Sequence, residues 1–170
     1  MRLYLHGERV DVQAIAAELG RGRSTIYRWF GSREGLVGEV LVRAVQPVIA
    51  ESRASARGTG AEALLDAFDR INRSLAAAPA LRAFLEHERD ALRILTSSAG
   101  PVQPRMVELV TAMIEDEVAA GTFEPPVEPS TLGYAIVRLA EAFLYNDADG
   151  LRGDVDRLRE VEAALLGVRA

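Results

Sequence analysis

Residues 20–36 read GRGRSTIYRWFGSREGL. Five of them are apolar or aromatic and four are arginines, with Ile26, Tyr27, Trp29 and Phe30 set among Arg21, Arg23, Arg28 and Arg33. A helix that only fills a soluble core sorts apolar and charged residues onto opposite faces. One that must also grip a polyanion interleaves them. Glycine punctuation marks the bounds. Gly20-Arg21-Gly22 is one break and Gly31-Ser32 another, so the spacing predicts a short helix over about 23–30. Before it, Asp11 suits the cap of a helix running to Leu19, with Val12, Ile15, Ala16 and Leu19 on one face. After it, Ser32 suits the cap of a long helix from Arg33, and Glu34 suits its first turn. Leu36, Val37, Val40, Leu41 and Ala44 form the apolar stripe of that helix, and Pro47 kinks or ends it.

Two short helices joined by a tight glycine turn make a helix-turn-helix pattern. In the second helix, Ile26 and Phe30 lie four apart and face back onto Val12, Ile15 and Leu36. Arg23, Ser24, Tyr27 and Arg28 then face outward. Arginine donates two hydrogen bonds to guanine O6 and N7, and hydroxyls and helix N-termini hold phosphates. From spacing alone, a DNA-reading helix and an ordinary arginine-bearing surface helix stand level.

The run STIYRWFGSREGL resembles the signature of the tetracycline-repressor (TetR) family of bacterial regulators. There a Thr-aliphatic-Tyr-x-x-Phe run forms the recognition helix, and a Ser/Asn-Lys/Arg-Glu-x-Leu run opens the connecting helix. The matching residues are Thr25-Ile26-Tyr27-Arg28-Trp29-Phe30 and Ser32-Arg33-Glu34-Gly35-Leu36, and AIAAELG, residues 14–20, resembles the supporting helix. The resemblance implies that Arg23, Ser24, Thr25, Tyr27 and Arg28 meet the major groove and its rim. It also implies that Tyr27, Trp29 and Arg33 hold phosphates of double-stranded DNA. Trp29 replaces a commoner His but keeps one N–H donor. Gly22 stands where a capping Ser or Thr is usual, and Arg21 replaces a common valine, adding charge at the groove edge. Of the family's leading helix only the tail, about residues 3–8 (LYLHGE), is expected, which thins the core of the small domain.

Composition agrees with an all-α chain. Of the 170 residues, 49% are hydrophobic and only 6% aromatic, with alanine and leucine abundant, and no segment alternates like a strand. Net charge is −5, yet it is unevenly spread. Residues 1–57 carry 9 arginines and 6 acids, and residues 58–170 carry 11 arginines and 19 acids. The basic end is therefore the end holding the helix-turn-helix. With no cysteine, and with His6 and His87 far apart, neither a disulfide frame nor a metal site is expected, and no cofactor motif is present. No apolar run reaches membrane length and no signal-peptide core opens the chain, so a cytoplasmic protein is expected.

Beyond RASARGTGA, residues 53–61, which reads as a linker, apolar stripes predict helices over about 61–77, 79–97, 104–120, 130–146 and 154–168. The expected organisation is a DNA-binding domain over 1–46 and a helical effector-binding and dimerisation domain over 47–170. The family resemblance implies a homodimer through the last two helices. The run RLAEAFLYNDADG followed by DVDRLREVEAALL is similar to regulators of quorum-signal degradation within the family, implying a lactone- or acyl-type effector. Polar residues on apolar stripes mark candidates for an effector pocket. They are Asn72, His87, Glu88, Arg138, Glu141 and Tyr145, with Phe68, Phe84, Met106, Val110 and Met113 as apolar lining. Against each stands a plain alternative. Glu88 can sit at a stripe edge, His87 can be solvated, and Arg138 and Glu141 can pair with each other or seal a dimer. An enzyme is disfavoured, since no Cys, Lys, Gly-x-Ser-x-Gly or phosphate loop is present. A helical ligand-binding module that has lost DNA binding remains an alternative to the regulator.

Overall fold

The computed structural model describes residues 12–145 and 152–169. The expected leading helix tail and the Asp11 cap lie outside them. The described residues form helices α1 Val12–Glu18, α2 Arg23–Phe30, α3 Arg33–Ala54, α4 Ala61–Ala77, α5 Pro79–His87, α6 Ala91–Thr96, α7 Gln103–Ala119, α8 Pro129–Tyr145 and α9 Val155–Leu166. No strand occurs among them, as the composition implies. The chain divides into two compact units, residues 1–45 with 79–104 and residues 46–78 with 105–170.

In the first unit α1 packs on α2. Val12, Ala16, Ile26, Leu36 and Val37 are buried, with Ile26 only 1% exposed. Leu19, expected on the apolar face of α1, is 57% exposed, because that helix ends at Glu18 and the chain turns away. The turn is a Schellman arrangement. Gly20 N–H donates to the Ala17 carbonyl and Arg21 N–H to the Ala16 carbonyl, with Gly20 at a φ of +62° that favours glycine. Pro47 lies inside α3 without ending it.

Within the same unit, the segment read as one helix from Pro79 to about 97 is broken. α5 stops at His87 and α6 starts at Ala91. The break has a physical cause. Glu88 turns inward and is 6% exposed, and Ala91, Ile94 and Leu95 become the buried set of the next helix while Leu92 is left 47% exposed.

In the second unit α4, α8 and α9 pack mutually. Leu64, Phe68, Leu132, Ile136, Leu158 and Leu166 are among the side chains buried there. Asn72 on α4 and Glu162 on α9 are buried with them, and Asn72 Nδ2 donates to Glu162 Oε1 at 3.0 Å. The other carboxyl oxygen of Glu162 has no hydrogen-bond partner among the described residues.

Candidate nucleic-acid interface

The α2 helix is short because both of its ends are set by glycine. At its start Gly22 adopts an extended conformation and offers no side chain to cap the free N–H groups, though its carbonyl accepts from Thr25 and Ile26 N–H. At its end Gly31 sits at a φ of +72°, and its N–H donates to the Tyr27 carbonyl at 2.8 Å. Ser32 Oγ then accepts from Gly35 N–H at 3.0 Å, capping α3 as its position suggests.

Between these ends the helix is two-sided. Ile26 is buried, whereas Arg23, Ser24, Arg28 and Trp29 are exposed, and Thr25, Tyr27 and Phe30 are half-buried. Arg21, in the turn ahead of it, is exposed as well. The outward side chains are partly pre-ordered. Arg23 Nη2 donates to the Tyr27 hydroxyl at 3.1 Å, and its guanidinium lies 5.3 Å from the centre of the Tyr27 ring. Trp29 meets Phe30 edge-on, with ring centres 6.5 Å apart, and remains 53% exposed. Its indole N–H is thus a donor on an open surface. An exposed row of guanidinium, hydroxyl and indole groups on one short helix has the chemistry to hold phosphates and read base edges.

The first turn of α3 differs from expectation in one respect. Arg33 Nη2 donates to Glu88 Oε2 at 2.6 Å, and the Glu88 side chain is only 3% exposed. The carboxylate that sequence patterning marks as needing a partner has one within its own unit. A guanidinium carries five N–H donors, so the pair leaves Arg33 able to serve a further acceptor.

Other side chains singled out for a pocket are distributed over both units. Phe84, which is buried, exposed His87 and Glu88 belong to the first. His87 Nδ1 lies 2.8 Å from the Ala83 carbonyl. Phe68, Asn72, Met106, Val110, Met113, Arg138, Glu141 and Tyr145 belong to the second. Arg138 Nη1 donates to Glu141 Oε2 at 2.6 Å, the i, i+3 bridge their spacing allows. Burial pushes the Glu141 carboxyl up to about 7 although Arg138 opposes it, and burial also raises the Tyr145 phenol. The second unit carries an open cleft of about 550 Å³. Ala50, Ala54, Ala63, Leu64 and Met113 give it apolar wall, and Arg53 and Glu117 give it polar groups. Among the side chains picked for a pocket, Met113 lines this cleft. The alanines carry no mark in the sequence.

Comparison with known proteins decides the family. Residues 7–40 match the bacterial regulatory proteins of the tetR family. Residues 59–167 match the tetracyclin repressor-like C-terminal domain. The chain belongs to the TetR family. Its structure is similar to that of QsdR, a TetR-family transcriptional repressor of R. erythropolis, with a TM-score of 0.87 and 30% identity over 99% of this chain and 90% of that one. It is also similar to AlkX, a TetR-family repressor from Dietzia sp. implicated in biodegradation of n-alkanes, with a TM-score of 0.65 and 25% identity over 93% of this chain and 87% of that one. No curated protein matches the sequence. The all-helical fold with an N-terminal helix-turn-helix is thus that of TetR-family transcriptional repressors. Among the described residues no helix is long and apolar enough to cross a membrane.

One departure from the family pattern has a measurable consequence. Gly22 has a negative φ, and a side chain there meets nothing nearer than the Ser24 hydroxyl at 3.6 Å. Gly22→Ser supplies the missing cap and removes backbone freedom from the unfolded chain. It is expected to stabilise by a few tenths to about 1 kcal/mol. Thermal melting should therefore move up by roughly 1–3 °C. A lower melting point would show that Gly22 is kept for some other reason.

Proposed function

We propose that this protein is a ligand-responsive transcriptional repressor in the bacterial cytoplasm, binding double-stranded DNA as a homodimer. The observation that carries the reading is the two-sided α2, with Ile26 sealed inside and Arg23, Ser24, Arg28 and Trp29 presented outward. Arg23, Ser24, Thr25, Tyr27 and Arg28 read the major groove and its rim. Arg21, Trp29 and Arg33 serve the backbone. The helix-turn-helix works as a DNA-binding domain over residues 1–46, and residues 47–170 bind effector and form the dimer. Two copies pair through α8 and α9, where Tyr134 and Val161 are exposed apolar side chains. The paired recognition helices then lie about 34 Å apart, one turn of B-form DNA, on a two-fold operator.

The effector is a small, mostly apolar molecule, of lactone or acyl type. A cleft of about 550 Å³ is of a size used for such ligands. Its alanine, leucine and methionine wall suits an apolar body, and Arg53, which holds Asp116 with one terminal nitrogen, has further N–H groups for an acceptor such as a lactone or amide carbonyl. The link of the Dietzia repressor to n-alkane biodegradation is in keeping with an apolar effector. The ligand shifts DNA affinity only by its difference in affinity between the two states of the repressor.

The test is a titration of the wild-type protein against duplex selected from a random library, repeated across salt. Phosphate contacts release counterions, so a repressor making about six contacts loses about a thousandfold in affinity between 50 and 200 mM salt. Salt-independent affinity, or no selected sequence, would favour a helical binding module without DNA recognition.

A further inference from the structure

Two ion pairs of opposite sense hold the first turn of α3. Arg33 Nη2 donates to Glu88 Oε2 at 2.6 Å. The next residue, Glu34, accepts from both terminal nitrogens of Arg93, at 2.7 Å and 2.5 Å. Arg93 holds the Glu34 carboxyl below its ordinary range. Adjacent residues of α3 therefore carry plus and minus, and the facing stretch answers with minus at Glu88 and plus at Arg93. Reversing either member of one pair would set like charges against each other. One turn further along α3, a Cβ on Gly38 would overlap the Pro101 ring, so the helix backbone lies against that segment as well. Arg33, Glu34 and Gly38 thus all meet the stretch 88–101.

The pairing also bears on DNA. If phosphate stripped Arg33 from Glu88, a nearly buried carboxylate would be left unpaired, which is the costly way to break such a pair. Glu88 accordingly orients Arg33 and does not compete for it. Arg33 and Glu34 follow directly on the Gly31-Ser32 elbow that ends α2, so whatever fixes the first turn of α3 also fixes the base of the recognition helix.

We propose that Glu88 and Arg93 are positioning residues for DNA recognition, setting the recognition helix through a charge-alternating clasp on Arg33 and Glu34. The proposal rests on the DNA-binding reading above. Its test uses the Glu34–Arg93 pair, because both side chains are partly open, 36% and 55% exposed, and their exchange spares the core. Full-length wild type, Glu34→Arg, Arg93→Glu and the double exchange are titrated with the duplex that wild type selects. Each single variant should bind about tenfold more weakly or worse, and the double exchange should return to within about threefold of wild type, a coupling that independent sites do not show. The slope of affinity against salt should become no shallower in any of the four, since no phosphate contact is removed. Melting temperature should fall by no more than a few degrees in the single variants, the loss of one partly exposed ion pair, and sedimentation should stay at the wild-type value, which separates positioning from loss of fold. Single variants that bind like wild type overturn the clasp. So does an additive pattern in which Glu34→Arg tightens and Arg93→Glu loosens, because net charge alone would then account for it. A wild type that binds no duplex removes the DNA-binding reading and this proposal with it, whereas a binding wild type with unaffected variants removes this proposal alone.

Discussion

The double variant Arg23→Ala, Arg28→Ala is expected to lose specific DNA binding by about a hundredfold or more while remaining folded and of unchanged assembly state. A well-placed bidentate arginine discriminates its base by about 1–3 kcal/mol, so the loss of two brings the total into that range. Both side chains are exposed, and surface changes of this kind usually alter stability by less than about 0.5 kcal/mol. The two arginines are not equivalent. Arg23 is tied to Tyr27 by a hydrogen bond and a cation–π contact, so Arg23→Ala also releases the phenol and should cost more than Arg28→Ala. Fluorescence anisotropy on the selected duplex, with sedimentation and thermal melting beside it, reads all three quantities. A double variant that binds as tightly as its parent would remove α2 from the role of recognition helix.

The bounds of α2 are legible in the sequence because the signals that set them are local. Glycine at 20, 22 and 31 and serine at 32 act within a turn of where they stand. The expected span of about 23–30 coincides with Arg23–Phe30. The span of α4 is legible for the same reason, its apolar period running from Leu64 to Leu75 between the linker stretch and Pro79. The break between α5 and α6 is not legible. It follows from Glu88 turning in to meet Arg33, a residue 55 positions away, and no periodicity within 79–97 carries that information. Leu92, on the stripe of the continuous helix that periodicity predicts, lies outside for this reason.

Buried polar groups are half legible. Asn72 and Glu88 stand out as polar residues on apolar stripes, and both prove to be buried with partners. Glu162 is not among the residues singled out from the sequence, although the same criterion marks it, since it stands four residues from Leu158 and four from Leu166. Applied to α9 as well as α4, that criterion flags both members of the Asn72–Glu162 pair. Apart from Met113, the residues of the cleft wall escape such reasoning. Alanine at 50, 54, 63 and 67 is ordinary in a helical chain, and only packing shows that small side chains there leave space.

Glu162 gives the largest expected effect on stability, and its sign is opposite to that of most carboxylates. The side chain is fully buried, one oxygen bonded to Asn72 and the other without a hydrogen-bond partner among the described residues. Burial pushes its carboxyl from 4.5 up to about 7; Asp69 adds to the rise, and Asn72 and Arg159 oppose it. The folded chain then holds this proton more tightly than the unfolded chain does. Between about pH 4.5 and 7, stability therefore falls as pH rises. Every tenfold gain in proton affinity on folding corresponds to about 1.4 kcal/mol, so the full contribution is of order 3 kcal/mol, of which roughly 2 remains at pH 5.5. Glu141, also raised to about 7, works in the same direction. Glu34 and Asp66 work in the other, held low by Arg93 and Arg70, so their stabilisation is lost as pH drops through and below the ordinary carboxylate range. A stability maximum near pH 5 follows, on the acid side of neutrality. Urea unfolding at pH 5.5 and pH 8, at fixed protein concentration, measures it. The parent should be markedly more stable at pH 5.5, Glu162→Gln should shrink the difference by about 2 kcal/mol, and Glu162→Gln with Glu141→Gln should nearly abolish it. Equal pH dependence in the parent and Glu162→Gln would mean that Glu162 stays ionised in the folded chain, which requires a donor to its second oxygen.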